Sequence, residues 1–319
     1  MYLGYPMKKP SADNQLVVAV SSRALFDLES EHRLFEEKGY QAFRDYQVAH
    51  QNDPLTPGVA FPFVKRLLEL NKLFSDRKPF RVVALSRNSP ETARRFFNSC
   101  RHYSLPINAG AFTSGQSTFP FLKAFKVSLF LSANAKNVER AVKAGLPGGL
   151  VLPNPMPQAE LESDPTLRIA FDFDGVLADD ESEREYQRGG LSAFEQHEIE
   201  KANTPLAAGP LQDLFEKLSA FQQLDYELHG KNDPYFRPAI RISIVTSRGA
   251  QSEERLINSL KSFGMTAAEL FLLDGLSKEP ILEALRPHIF FDDQTRHLED
   301  VQTRIPCVLV PFGIHNEIV

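Results

Sequence analysis

The second half of the chain alternates short apolar runs with longer stretches in which apolar residues recur at helical spacing. The apolar runs, which we predict to be strands, are RIAF (168–171), ISIVT (242–246), LFLL (270–273), HIFF (288–291) and CVLV (307–310). The stretches predicted to be helices are PLQDLFEKLSAFQQL (210–224), EERLINSLKSFG (253–264) and KEPILEALR (278–286). Strands with so little polar interruption are buried on both faces. The pattern therefore predicts an α/β fold with a doubly wound, Rossmann-type parallel sheet.

The first half of the chain repeats this pattern. The tripeptide ESE at 29–31 aligns with ESE at 181–183, an offset of 152. Further segment pairs follow in the same order with offsets of 151 to 161, including GYQAF with GLSAF and VALSRN with IVTSRG. An order kept over so many segments predicts an internal duplication of a unit of about 150 residues, an ordinary domain size.

Between the two copies lies a stretch rich in proline and glycine, residues 145–168. It has the composition of a linker, although LVL (150–152) within it is predicted to complete the sheet of the first copy. We place the domain boundary near residue 160, with one unit over 1–160 and the other over 161–319. In the second unit, residues 180–209 are predicted to form a small cap over the site.

Polar side chains follow the predicted strands of the second copy. They are Asp172 and Asp174, then Thr246, Ser247 and Arg248, then Lys278, then Asp292 and Asp293. A single strand-end aspartate is usually a helix cap or a turn residue. In doubly wound sheets, however, ligands bind beyond the carboxyl ends of the strands, so the complete set is a candidate site.

The residue types in this set suit phosphate chemistry. Clustered carboxylates repel one another unless a cation joins them, and hard oxygen ligands suit Mg²⁺. One carboxylate could attack phosphorus as a nucleophile, while the second, two residues later, could serve as general acid and base. Thr246 and Lys278 could bind the phosphoryl oxygens.

The composition excludes some classes of partner and does not alter the prediction of the site. The 319 residues are 42% hydrophobic and 24% charged, with a net charge of −5. This balance argues against a nucleic-acid polymer or an anionic membrane surface as partner, but it permits a local cationic pocket. No segment approaches the length of a membrane span. Cys100 and Cys307 are interpreted as buried free thiols of a reducing compartment, so we expect a cytoplasmic protein.

The strand-end residues carry a family resemblance. DFDGV followed by a strand-end Thr, a Lys and a DD pair resembles the four motifs of the haloacid dehalogenase superfamily of phosphatases. The phrases ALFDLESEH, NDPLTPGVAFPFVK, LADDESE, PLAAGPL and RPHIFFDDQ resemble the cytosolic 5′-nucleotidase type I family over about residues 16–313. The resemblance implies Mg²⁺-dependent hydrolysis of nucleoside 5′-monophosphates, with AMP or IMP/GMP-type purines favoured.

The same resemblance assigns roles to single residues. It implies that Asp172 is the nucleophile, forming an aspartyl phosphate, and that Asp174 is the acid/base. Both would also bind Mg²⁺, Asp174 through its backbone carbonyl. Thr246 and Lys278 would take the phosphate, together with Ser247 and Arg248. Asp292 and Asp293 would supply the remaining metal carboxylate, Asp293 being favoured as the direct ligand and Asp292 through water. A nucleotide effector and a homo-oligomer are further partners left open.

The aligned first copy lacks the six proposed catalytic and metal-binding groups but retains Ser86 and Arg87 opposite Ser247 and Arg248. In the sequence alignment Val20 stands opposite Asp172, Ser22 opposite Asp174, Leu85 opposite Thr246, Thr118 opposite Lys278, Ser132 opposite Asp292 and Ala133 opposite Asp293. We therefore predict a catalytically inactive first copy. It would act as a scaffold or dimer surface, or alternatively as a regulatory nucleotide site or a wall of the active site.

Candidates for the nucleoside lie in the predicted cap. They are Tyr186, Phe194, His197 and Asn203, each of which could instead belong to the cap core or surface. Two alternatives to a nucleotidase also remain open. One is a phosphatase or phosphotransferase acting on another small phosphomonoester, and the other is a nucleotide-binding regulator with little turnover.

Overall fold

The computed structural model describes residues 15–74, 78–154, 164–265 and 267–316, and we call 15–154 the first half and 164–316 the second half. The first half contains β1 (Leu16–Val20), α1 (Ser22–Leu25), β2 (Phe26–Asp27), α2 (Glu29–Ala49), β3 (Thr56–Pro57), α3 (Phe61–Glu69), β4 (Phe80–Ser86), α4 (Pro90–His102), β5 (Gly110–Phe112), α5 (Phe119–Ala124), β6 (Leu129–Ser132), α6 (Ala135–Lys143) and β7 (Gly148–Val151). The second half contains β8 (Leu167–Phe171), α7 (Glu181–Glu200), α8 (Gln212–Asp225), β9 (Ile240–Thr246), α9 (Glu253–Ser262), β10 (Glu269–Leu272), α10 (Glu279–Leu285), β11 (Ile289–Asp292), α11 (Thr295–Glu299) and β12 (Cys307–Leu309).

One large sheet runs through both halves, in the order β10-β9-β8-β11-β12-β7-β6-β1-β4-β5. Its strand pairs are parallel except β7 with β12, which are antiparallel. The prediction of an α/β fold with a mostly parallel, Rossmann-like sheet is confirmed. The antiparallel junction was not predicted, because a strand pattern carries no information about the direction of a distant partner. It turns the strands of the two halves in opposite directions, so their carboxyl ends lie at opposite edges of the sheet.

Apolar side chains cover both faces of this sheet. Alternate residues of β1 and β8, such as Val18 and Ile169, enter a core that is continuous through both halves. The residues between them, such as Ala19 and Ala170, enter two separate clusters on the other face, one in each half. This alternation is the period of two expected of strands, and it explains why the runs read as uninterrupted apolar segments.

The two halves share one strand order. Reading outward from the junction gives β7-β6-β1-β4-β5 in the first half and β12-β11-β8-β9-β10 in the second. The helices α2 and α7 each break at a glycine with positive φ, Gly39 at 79° and Gly190 at 71°, a conformation that glycine adopts most readily. These features agree with the predicted duplication, which itself stays a prediction. The predicted domain boundary near residue 160 lies outside the described residues.

Strand pairing corrects the sequence alignment of the two halves by one residue at the site. The Ser21 N–H donates to the Leu131 carbonyl, just as the Asp172 N–H donates to the Phe291 carbonyl, so Ser21 rather than Val20 is the equivalent of Asp172. By the same correspondence Arg23 is the equivalent of Asp174. The alignment error has a simple cause. The segment between the first strand and ESE is one residue longer in the second half, so an alignment that matches the two ESE tripeptides is displaced by one residue in the strand before them. A slip of one residue moves every strand side chain to the opposite face.

The same strand pairing also moves the alignment of the next strand by one residue. Ser86 and Thr246 each end a seven-residue strand, and the Oγ of each accepts from the backbone N–H two residues later, at 3.1 and 3.3 Å. Ser86, not Leu85, is therefore the equivalent of Thr246.

Cys100 and Cys307 are buried free thiols, as predicted. Burial raises the pKa of the Cys100 thiol to about 12, which keeps it protonated and unreactive at neutral pH. Within the part of the chain that the structure describes, no helix combines the length and apolar character needed to cross a membrane.

Candidate active site

The strand-end residues of the second half meet around one ammonium group. Lys278, which immediately precedes α10, places its Nζ 2.8 Å from Asp172 Oδ2 and 2.7 Å from Asp292 Oδ2. All three side chains are buried, with Asp172 directly following β8 and Asp292 ending β11. Thr246, also buried, ends the neighbouring β9. The sheet thus brings together four of the predicted site residues from four separate segments.

The two consecutive aspartates differ in their partners. Asp292 is fully engaged: besides Lys278, it accepts from the Gln294 N–H at 2.8 Å and lies 3.2 Å from His297 Nδ1. Asp293 is also buried, yet its Oδ1 has no hydrogen-bond partner among the described residues. A buried carboxylate oxygen without a partner lowers the stability of the fold. A cation bound beside Asp293 would therefore stabilise the protein.

Close packing holds Asp293 in place. A Cβ added to Gly175, the glycine of DFDGV, would lie 2.5 Å from the Asp293 carboxyl carbon. Gly175 also has φ 70°, a conformation that a larger residue adopts only with strain. Glycine at this position therefore serves both the turn after β8 and the approach of Asp293 to it.

Electrostatics also favour a cation at this cluster. Burial raises the pKa of Asp172 to about 6, assisted by the charge of Asp292 and opposed by Lys278. Burial and the neighbouring charges of Asp172 and Asp292 raise the pKa of Asp293 well above its usual range. The pKa of Asp292 is instead lowered, because Lys278 and His297 outweigh the effect of its burial.

The donor set fits Mg²⁺. Ligand atoms of Asp172, Asp292 and His297 lie within 4.8 Å of one another, but the imidazole and the Asp292 oxygens already bind each other. Mg²⁺ prefers oxygen ligands, and the free oxygen belongs to Asp293. Asp293 is therefore the carboxylate best suited to hold the ion.

Asp174 is bound to Arg248 rather than to Lys278. The guanidinium donates from Nε and Nη2 to the two Asp174 oxygens, both at 2.7 Å, and Nη2 also donates to Ser182 at 2.7 Å. Its Nη1 pairs with Glu198, and the whole side chain is buried. Arg248 was predicted to bind substrate. In the structure it joins Asp174 to the helix α7 and also lines the cavity described below, so its contact with substrate stays a prediction.

Sequence reasoning missed Glu198, the carboxylate that anchors this link. Its side chain is fully buried and bonds Arg248, Arg255 at 2.8 Å and Ser182 at 2.8 Å. Opposing cations lower the pKa of Glu198 despite its burial. His197, a predicted nucleoside contact, belongs to the same network through Glu181 at 3.1 Å. Nothing in the sequence connects Glu198 with its two arginine partners, because Arg248 and Arg255 lie 50 and 57 positions away from it.

The cluster opens into a cavity of about 550 Å³, which we call the second-half cavity. Tyr186, Leu191 and Phe194 of α7 line one side, and Ser247 and Lys278 line the other. This is where the predicted cap would lie. Asn203, predicted to bind the nucleoside, is exposed and is not among the residues that line the cavity.

Raised carboxyl pKa values predict how the metal-free protein should respond to pH. In EDTA, Asp172 and Asp293 bind protons more tightly when folded than when unfolded, so their contribution to stability should be lost as the pH rises. For Asp172 that contribution is complete below its unfolded value of 3.8 and disappears as the pH passes about 6. Because Mg²⁺ would bind the ionised carboxylates, we expect it to raise the melting temperature more at pH 7.5 than at pH 5 in calorimetry.

Asp293→Asn serves as the matched variant, since it keeps the side-chain shape and removes one of these titrations. It should show a smaller stabilisation by Mg²⁺ than the unmodified chain. An equal Mg²⁺-induced increase in melting temperature at pH 5 and pH 7.5 would contradict this account of the cluster.

Known proteins resemble this chain over most of its length. A family model described as 5′-nucleotidase matches residues 7–317. The chain belongs to the 5′-nucleotidase family. A human relative, cytosolic 5′-nucleotidase 1B (Homo sapiens), is 35% identical over 299 residues, which is 92% of this chain and 48% of the relative. This 5′-nucleotidase family member therefore spans about half the length of that curated relative. No solved structure matches the chain.

Proposed function

We propose that the chain is a phosphomonoester hydrolase that converts nucleoside 5′-monophosphates to nucleoside and phosphate in the second-half cavity. The observation that carries the proposal is the buried Asp172–Lys278–Asp292 cluster, with the unpaired Asp293 oxygen beside it, at the base of a cavity large enough for a nucleotide. Membership of the 5′-nucleotidase family supports the substrate class. AMP and IMP/GMP-type purines remain the favoured substrates.

Asp172 is the proposed nucleophile. Its carboxylate oxygen would form a bond to phosphorus as the bond from phosphorus to the ribose O5′ breaks, giving an aspartyl phosphate. Lys278 lies 2.8 Å from that carboxylate and would neutralise charge on the phosphoryl oxygens. Thr246, which ends the neighbouring strand, would donate its hydroxyl to the same group.

Asp174 is the proposed acid and base. It would give a proton to the departing O5′ and later take one from the water that attacks phosphorus and breaks the bond to Asp172. Arg248 donates a hydrogen bond to each of the two Asp174 oxygens. The acid step therefore requires that Asp174 gains a proton and releases at least one of these hydrogen bonds.

Asp172, Asp293 and the backbone carbonyl of Asp174 are the groups that would hold Mg²⁺. The ion would supply positive charge that offsets the carboxylates and the substrate phosphate. Stacking of the base on Tyr186 or Phe194 is supported by their position on the cavity wall. The relative's printed name, together with the buried free thiols, supports a cytoplasmic location.

A phosphate-release assay tests the proposal. The substrates are AMP, IMP, GMP, CMP and glucose 6-phosphate, each with Mg²⁺ or with EDTA, and a parallel reaction contains a free nucleoside as phosphate acceptor. We expect Mg²⁺-dependent release from the nucleotides at least about tenfold above that from the sugar phosphate, as a pocket that binds the base should discriminate. Preference for the sugar phosphate, transfer to the nucleoside, or binding without release would each replace the proposal with one of its alternatives.

A further inference from the structure

The first half contains its own cavity, of about 480 Å³, which we call the first-half cavity. It lies at the carboxyl ends of β1, β4 and β6, the positions equivalent to those of the candidate active site. The antiparallel junction places it at the opposite edge of the sheet from the second-half cavity. It therefore does not form a wall of the active site, which rules out one of the roles considered for the first copy.

We propose that the first-half cavity is a second, noncatalytic site that binds a phosphate ester carrying an aromatic ring, such as a nucleotide, without a divalent metal. The proposal concerns binding alone and does not rest on the proposed hydrolysis. Four features support it: the charge of the equivalent positions, the free hydroxyl hydrogens, an exposed arginine without an ion pair among the described residues, and an aromatic wall.

The positions equivalent to the candidate active site have reversed charge. By strand pairing, Ser21 replaces Asp172, Arg23 replaces Asp174, Ser86 replaces Thr246, Arg87 replaces Ser247, Asn88 replaces Arg248, Thr118 replaces Lys278, Ser132 replaces Asp292 and Ala133 replaces Asp293. Four aspartates, one lysine and one arginine leave two negative charges in the second half, whereas two arginines leave two positive charges in the first. None of the described residues that line the first-half cavity carries a carboxylate. An anion could therefore enter without a metal ion.

Serine hydroxyls at the strand ends have a hydrogen available to donate. Ser86 Oγ accepts from the Asn88 N–H at 3.1 Å, and Ser132 Oγ accepts from the Asn134 N–H at 3.1 Å. Because a hydroxyl has one hydrogen to donate in addition to its acceptor sites, each retains that hydrogen for a ligand. Ser22 is 3% exposed, lines the cavity, and its Oγ has no partner among the described residues. Buried hydroxyls with free hydrogens suit phosphate oxygens.

Arg87 supplies an exposed positive charge that forms no ion pair among the described residues. Its Nε donates to the Gly115 carbonyl at 2.9 Å, while its terminal nitrogens have no partner within the described ranges. The other arginine, Arg23, is half-exposed and pairs with Glu29 at 2.6 Å. This contrasts with Arg248 in the second half, whose guanidinium is buried and pairs with the carboxylates of Asp174 and Glu198. A phosphate in the first-half cavity would be the natural partner of Arg87.

Aromatic side chains of α2 form one wall of the same cavity. Phe35 and Tyr40 line it although they are 44% and 46% exposed, and the His32 ring stacks on Phe35 with an interplanar angle of 8°. Large exposed aromatic rings beside anion donors suit a ligand with a flat ring at one end and a phosphate at the other. Because Ser21 and Ala133 replace the nucleophile and a metal carboxylate, the bound ester would not be hydrolysed there.

The test is calorimetric titration of the full chain with AMP in EDTA, with adenosine and inorganic phosphate titrated separately. We expect AMP to bind more tightly than either fragment. Arg87→Ala should weaken AMP binding about tenfold or more, the loss expected for a charge-assisted hydrogen bond, and Arg87→Lys should restore part of it. Arg94→Ala, which removes an exposed arginine outside the cavity, is the matched control and should bind as the unmodified chain does.

Three outcomes would overturn the proposal. They are no AMP binding in EDTA, unchanged binding by Arg87→Ala, or loss of binding in Asp172→Ala while Arg87→Ala is unaffected. The last would locate the ligand in the second-half cavity. Thermal unfolding of each variant, monitored by circular dichroism, shows whether a loss of binding reflects a loss of fold. This experiment measures binding and not phosphate release. A negative binding result would therefore not contradict the proposed hydrolysis, and a protein without hydrolytic activity could still bind AMP in the first-half cavity.

Discussion

Asp172→Asn should reduce the kcat for phosphate release by about 10⁴-fold or more, the scale seen when a nucleophile is removed from an enzyme. Asparagine has nearly the same shape and can still accept a hydrogen bond from Lys278, but it lacks the charge that attacks phosphorus. The measurement is steady-state phosphate release from AMP with saturating Mg²⁺.

Stability provides a second readout for this variant. Because burial raises the pKa of Asp172, ionising this carboxyl at neutral pH costs more free energy in the folded protein than in the unfolded chain. We therefore expect Asp172→Asn, in EDTA at pH 7.5, to melt at or above the temperature of the unmodified chain. Inactivity together with unchanged or higher stability would separate a chemical role from a structural one.

The matched control is Asp213→Asn, the same chemical change at an exposed carboxylate of α8 that pairs with Lys217 at 2.7 Å. An exposed pair of this kind contributes little to stability, so both activity and melting temperature should stay close to those of the unmodified chain. If Asp172→Asn retained a substantial fraction of the original turnover, the aspartyl-phosphate mechanism would have to be abandoned.

Glu198→Gln should impair the protein in a different way, by disordering the support of Asp174. The side chain is fully buried between Arg248 and Arg255, and the amide would remove the charge that compensates them. Removing one partner of a buried ion pair costs about 3–5 kcal/mol of unfolding free energy. Arg248 would lose the partner that fixes its position against Asp174, so kcat should fall by about 10²-fold while KM changes less. Urea unfolding and steady-state kinetics measure the two effects.

Glu200→Gln provides the control on the same helix, since Glu200 is exposed and only two residues away. Its stability and kinetics should match those of the unmodified chain. Ser182→Ala is a milder change that removes one hydrogen bond from Glu198 and one from Arg248, and it keeps the test available if Glu198→Gln does not fold. A Glu198→Gln protein with full stability and full kcat would show that the network does not position Asp174.

The strand and helix pattern was largely readable from the sequence. The apolar runs RIAF and ISIVT correspond to β8 and β9, and PLQDLFEKLSAFQQL corresponds to α8. Uninterrupted apolar runs mark strands that are buried on both faces, and this property depends on local composition alone. The order of the strands and the antiparallel pairing of β7 with β12 depend on partners far along the chain, so no local pattern encodes them.

The residues of the candidate site also differ in whether the sequence could predict their contacts. That Asp172, Lys278 and Asp292 would meet followed from the rule for parallel sheets, because each lies at a strand end or opens the following helix. The engagement of Arg248 by Asp174 and Glu198 did not follow, since an arginine beside a strand-end serine looks the same whether it faces substrate or buried carboxylates. Asn203 was chosen by its position in the chain and lies outside the cavity.

The sequence by itself determined the α/β class, the paired arrangement of two similar halves and the identity of the residues that gather at the second-half strand ends. Only the tertiary structure decided the register between the halves, and with it the equivalence of Arg23 with Asp174. Only the structure showed that the two cavities open at opposite edges of the sheet, and that Asp293, rather than Asp292, has the free oxygen. The physical reason is that composition and periodicity act over a few residues. Strand direction, register and the pairing of buried charges are instead set by the packing of segments that can lie far apart in the chain. Val151 and Val308, for example, are 157 positions apart, and Asp174 and Arg248 are 74 positions apart.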